Sequence, residues 1–128
     1  MTFLVAAFAV AALARYVVHT RDTPVKVTEI DHGAVNGFNI GDAKEVILRV
    51  AAGESFSPEP KPSECPANWI SVRAMTEVQR TCLLGADIWH TEIRSTVAHC
   101  SGQTNEFDSL HFADNRLVKV VIRCVRAE

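Results

Sequence analysis

Apolar and polar positions alternate most strictly in the last third of the chain. Three runs there predict strands, over residues 89–99, 107–113 and 117–125. In the first, Trp89, Ile93 and Val97 share a parity and therefore a face, while His90, Glu92 and Arg94 take the other. In the second, Leu110 and Phe112 oppose Ser109, His111 and Ala113. In the third, Lys119 and Arg123 share a face with Val121, which leaves Val118, Val120, Ile122 and Cys124 as the expected inner set. Asp114, Asn115 and Arg116 are turn chemistry between two β-rich runs, so the last two strands are expected to form an antiparallel hairpin.

Upstream the apolar period changes to that of a helix. Ala43, Val46, Ile47, Val50 and Ala51 form one stripe, with Lys44, Glu45 and Arg49 expected in water. Asp42 with Glu45 reads as a capping box at its start, and Gly53 as its stop. A second, shorter helix opens on Thr76 with Gln79, buries Val78, Cys82 and Leu83, and stops at Gly85. Trp69, Ile70, Val72 and Met75 lead into it as expected core. Gly37 and Gly41 are turn residues; no strong strand precedes them and no Lys-Ser/Thr follows, as a phosphate-binding loop requires. Residues 55–66 hold Pro58, Pro60, Pro62 and Pro66 and read as a loop pinned by Phe56. Residues 19–34 read as a linker, whose Val25, Val27 and Ile30 would otherwise make a short edge strand. The expected fold is therefore α+β: two short helices on a three-stranded antiparallel meander (ααβββ), preceded by an N-terminal apolar leader helix. The boundaries are 1–18 for leader, 19–34 for linker and 35–128 for domain.

The leader changes the picture most. Met1 to Ala14 carries no charge and is almost wholly apolar. That length suits a signal peptide better than a membrane span, which needs about 20 residues. Ala12-Leu13-Ala14 would serve as a cleavage site, and Tyr16-Val17-Val18 would lengthen the run into a marginal anchor over residues 3–18. Against secretion, no basic residue precedes the run, and Arg15 and Arg21 follow it. A buried core helix is the competing reading.

The 128 residues suffice for one domain with one core. A formal charge of −2, with both signs mixed along the chain, offers no basic face for nucleic acid. Four cysteines, Cys65, Cys82, Cys100 and Cys124, behind an apolar leader suggest a disulfide framework and an oxidising compartment. Of the three possible pairings, Cys65 with Cys82 and Cys100 with Cys124 is favoured. The first clips the proline-rich loop to the following helix. The second joins two strand ends at one end of the meander. There the first and third strands would lie about 9–10 Å apart, beyond disulfide reach, unless an end curls inward or the strand order differs. Four buried free thiols are the alternative.

The segment from Gly37 through Gly41 to Val46 resembles the opening of the small lipoproteins of the outer-membrane β-barrel assembly machine (SmpA/OmlA type): a glycine, then a short helix ending in a Val/Leu stripe. The Trp89 strand, followed by Leu110-His111-Phe112-Ala113-Asp114-Asn115-Arg116-Leu117, is similar to that family's aromatic strand and hairpin. The likeness spans residues 35–124. It implies an ααβββ domain, related in shape to β-lactamase inhibitor protein repeats, that is periplasmic or secreted and acts through protein contacts without catalysis. The chain departs from the family in lacking a lipid-attachment Cys and in carrying four cysteines, so the fold carries over and no binding residue or partner does.

The competing chemistry is a His/Cys site built from His90, His99, Cys100, His111 and Cys124, as a metal-dependent enzyme or a hydrolase. The spacing matches no structural zinc site, and adjacent His99 and Cys100 on a strand would face opposite ways. No Cys-x-x-Cys and no Gly-x-Ser-x-Gly occurs. Glu92, Glu106 and Asp108 read as carboxylates on solvated faces or in turns. The expected function is a non-enzymatic protein-binding module of the bacterial cell envelope. It would have no cofactor and no catalytic or metal residues, and would be periplasmic or secreted or held in the inner membrane by its leader. The outer face of the sheet and the proline-rich loop would be its contact surfaces.

Overall fold

The computed structural model describes residues 26–61, 63–65, 68–92, 100 and 104–126. The apolar leader, Arg94, Ile93, Val97, His99, Pro62 and Pro66 lie outside them. The elements in chain order are β1 (Lys26–Ile30), β2 (Ala34–Val35), β3 (Phe38–Asn39), α1 (Lys44–Val50), β4 (Ser55–Glu59), β5 (Ile70–Ser71), α2 (Glu77–Leu84), β6 (Ile88–Thr91), β7 (Thr104–Ala113) and β8 (Arg116–Arg126).

The fold is mostly β and not ααβββ. Six strands form one antiparallel sheet in the order β1-β8-β7-β6-β4-β5, and β2 and β3 form a separate hairpin. Both helices and the last two C-terminal strands are present, the strand expected over 89–99 is described only as β6 over Ile88–Thr91 with 93–99 outside the described residues, and the sheet is twice as wide as the sequence suggested. The extra strands are short: β1 and β5 are the edges of the sheet, and β4, between β6 and β5, carries a proline. The segment read as linker or edge strand is β1, whose Lys26–Ile30 ladder runs against Cys124 to Val120 of β8. The segment read as a proline-rich loop begins with β4. Pro58 is tolerated because β5 pairs only with Ser55 and Phe56, so beyond them β4 has an open side where a missing N–H removes no ladder bond.

The β7–β8 hairpin is the longest ladder. Its loop is Asp114-Asn115, with φ of 51° and 65°, the left-handed pair that a two-residue I′ turn requires. Asn36 and Gly37 repeat this device between β2 and β3, at φ 55° and 84°. One irregularity corrects the expected inner set of β8. His111 pairs with Lys119 and Phe112 with Leu117, so Val118 is an extra residue in a bulge. Parity flips there: Val118 is 42% exposed, and Leu117 takes its place in the core.

Both helices pack on one face of the sheet, the two-layer solution. Ile47, Leu48, Ala51, Cys82 and Leu83 join Phe56, Ile70, Trp89, Leu110, Phe112, Val120 and Ile122 in one core. Phe56, Trp89 and Phe112 form its aromatic centre, with ring centroids 5.2 and 4.5 Å apart. The indole N–H of Trp89 donates to the carbonyl of Leu83 at 2.8 Å, which seats α2 on the sheet. The Thr76–Gln79 capping box is present, with both reciprocal bonds.

Other expected placements are corrected. The N-cap of α1 is Ala43, without a side-chain cap, and the Asp42 carboxylate instead accepts from the backbone N–H of Asn39. Lys44 is buried, not solvated: its Nζ donates to the carbonyl of Leu84 at 2.8 Å and lies 5.3 Å from the Phe112 ring centre. Val50, Val78 and Trp69, expected in the core, are exposed. The helix α1 is placed by backbone: Gly41 and Asp42 bond Leu117, and the N–H of Lys44 bonds Asn115. That docking rotates Lys44 inward and Val50 outward.

Two disulfides are present, Cys65 with Cys82 and Cys100 with Cys124, at Cα separations of 6.0 and 5.4 Å. Cys100 is not on a strand, so the spacing between first and third strands does not limit its reach to Cys124.

Candidate functional site

The sheet face opposite the helices carries the chemistry, and the ladder register lays it out in rows. One row runs Val27, Arg123, Phe107. The next runs Glu29, Val121, Ser109, His90, Ser57. The third runs Lys119, His111, Ile88, Glu59. Neighbouring rows are joined by the ion pair Lys119–Glu29 at 3.2 Å and by His90 Nε2 against Glu59 Oε2 at 2.5 Å. Along β7, Ser109 Oγ lies 3.0 Å from His111 Nε2. Glu59, Ile88, His90, Ser109, His111, Val121 and Arg123 line a shallow open groove of about 150 Å³.

The electrostatics of this groove favour a neutral imidazole at its centre. Burial, then the positive charge of Lys119 and the neighbouring His90, hold His111 below the ordinary histidine value. The Nε of Arg123 is buried without a hydrogen-bond partner among the described residues.

Hydroxyl beside imidazole is the start of a nucleophile–base pair, but the rest of that arrangement does not follow. Ser109 is only 3% exposed, and Glu59, the carboxylate in the groove, is engaged by His90 and not by His111. An activated serine needs both access for substrate and an oriented base. What the face presents is a ladder of alternating charges and donors, with exposed Val27 and Phe107 beside it.

Of the residues singled out from sequence, His90 and His111 share this face, Cys100 and Cys124 are bonded to one another near the end of β8, and His99 lies outside the described residues. Among the described residues, no three His, Cys, Asp or Glu side chains gather to hold a metal ion. Glu59 was missed because it belongs to a strand hidden by its prolines. Ser109 and His111 were visible as an i, i+2 pair on one strand face; their contact needed coordinates. Among the described residues, no helix is long and apolar enough to cross a membrane. Comparison with known protein families, curated proteins and solved structures returns no match.

Proposed function

We propose that this chain is an exported or membrane-tethered, non-enzymatic protein-binding module of the bacterial cell envelope, and that it binds through the uncovered face of its sheet. The observation that carries the reading is the bare outer face, with Val27 and Phe107 standing 53% and 49% exposed on either side of Arg123 in one ladder row. Exposed apolar side chains rimmed by charges are the composition of a contact surface. Export is supported by the two disulfides, which use all four cysteines and suit an oxidising compartment. The competing His/Cys enzyme would need a thiolate, and every cysteine is oxidised.

The test has two arms on the full chain with its own leader. Non-reducing mass mapping of fractionated cells is expected to find both disulfides outside the cytoplasm. Four free thiols on a soluble cytoplasmic chain beginning at Met1 would sink export. A photo-crosslinking residue at Val27, on the outer face, is expected to give a discrete protein adduct in cells, and one at exposed Val78 on α2 is not. Equal labelling from both positions, or none from Val27, would sink the outer-face surface.

A further inference from the structure

The strand β6 stops at Thr91, paired with Asp108, while β7 begins four residues earlier in the ladder, at Thr104. At this step in the sheet lies a groove of about 390 Å³, lined by Trp69, Thr91, Glu92, Glu106 and Phe107. Trp69 and Phe107, 45% and 49% exposed, are the exposed aromatic rings among the described residues, and both line this one groove. The other four rings of the described residues (Phe38, Phe56, Trp89 and Phe112) are buried. Two carboxylates share the space, Glu92 exposed and Glu106 half-buried. A volume near the lower end of the roughly 300–1,000 Å³ of small-ligand sites admits one extended side chain and not a folded element.

Aromatic faces beside carboxylates form a receptor for an organic cation. The ring faces attract positive charge through their quadrupoles, and the carboxylates accept charge-assisted hydrogen bonds. Each carboxylate has about four acceptor sites, so an existing contact leaves capacity for another. Among cations, guanidinium fits best: it is planar, weakly hydrated, stacks on aromatic rings and forks onto carboxylates, whereas an ammonium gives up more hydration. A neutral sugar would stack on the rings but form no charge-assisted bond to exposed Glu92. Among the described residues, no Lys or Arg lines this groove; Arg123, the ladder partner of Phe107, lines the outer-face groove instead.

We infer that this groove receives an arginine side chain presented by a protein partner, stacked against Trp69 and Phe107 with its guanidinium bonded to Glu92 and Glu106. The inference rests on the protein-binding reading and names the chemistry its partner must offer. It is a second contact point, beside the outer-face rows.

The two tryptophans supply the assay. Trp69 is exposed, while the Trp89 indole N–H is buried against the Leu83 carbonyl and serves as an internal reference for an intact core. Titration of the oxidised full chain with acetyl-Gly-Arg-Gly-amide, followed by the indole N–H resonances, is expected to shift Trp69 saturably and leave Trp89 still. A midpoint on the order of millimolar suits a single side chain, rising with salt. The citrulline peptide, matched in shape but uncharged, is expected to bind at least about tenfold more weakly, as is the arginine peptide to Glu92→Gln. Equal binding of the citrulline peptide or of a neutral oligosaccharide, an unsaturable Trp69 shift, or an unchanged midpoint in Glu92→Gln would overturn the inference. A Val27 adduct in cells alongside any of these results would remove this groove alone and leave the outer-face surface standing.

Discussion

Replacing Lys44 by Met tests the packing of the two helices on each other. The side chain is only 5% exposed although its position on α1 reads as solvated from sequence. Its ammonium donates to the carbonyl of Leu84, the last residue of α2, at 2.8 Å and lies over Phe112. The last turn of α2 has no basic residue of its own, so Lys44 supplies the positive charge that a helix C-terminus favours, from a different helix. Methionine keeps the length and apolar stem, so the loss is chiefly polar. A charge-assisted hydrogen bond is worth about 1.5–3 kcal/mol, and a buried carbonyl left without a donor costs about 1–3 kcal/mol. These describe the same loss from two sides and do not add. The contact with Phe112 contributes about 0.5–2 kcal/mol. Release from the desolvation of a buried ammonium offsets part of the total. The expected net destabilisation is about 2–3 kcal/mol, read as a fall in the urea midpoint at unchanged m-value with both disulfides intact. Lys119→Met, in the exposed pair with Glu29, is the control and should change stability by less than about 1 kcal/mol. If Lys44→Met also falls within about 0.5 kcal/mol of wild type, as surface substitutions do, the buried placement of Lys44 is wrong.

Three further outcomes follow from the structure. The imidazole of His111 titrates below its ordinary value in the folded protein, so below about pH 6.5 the unfolded chain binds the proton first and stability falls with pH until the folded group also titrates. His111→Gln should flatten that part of a urea-midpoint profile between neutral and mildly acid pH, and an unchanged slope would contradict it. Ile122→Ala should cost about 2–5 kcal/mol and Val118→Ala less than about 0.5 kcal/mol by urea unfolding; the reverse order would abolish the bulge. Cys100→Ser with Cys124→Ser should lower stability by about 3.5 kcal/mol from lost chain constraint over 24 positions of separation, and a loss below about 1 kcal/mol would mean that this bond closes no loop of consequence.

The outer-face groove and the aromatic groove differ in how far the chain announced them. Parity along β7 already set Ser109 and His111 on one face, and the same parity set Leu110 and Phe112 on the other. The partner of His90 was invisible, because Glu59 reaches it only once Pro58 is seen to lie in a strand with an open side. Trp69 reads as core in the run with Ile70, Val72 and Met75 that leads into α2; Ile70 is buried and Trp69 is not.

By itself the chain determined what neighbours in sequence can enforce. It set the left-handed turn at Asp114-Asn115, the reciprocal cap of Thr76 and Gln79, the two helices, the C-terminal hairpin and a cysteine pairing worth favouring. These depend on φ preferences, local hydrogen bonds and apolar period, all of which act over a few residues. Only the tertiary structure decided the width of the sheet, the inward turn of Lys44, the bulge at Val118 and the placing of Trp69 and Phe107 on one groove. Each depends on partners dozens of residues away. Strand pairing satisfies backbone groups whatever the side chains are, so weak β1 and proline-bearing β4 join a sheet that their own composition does not specify.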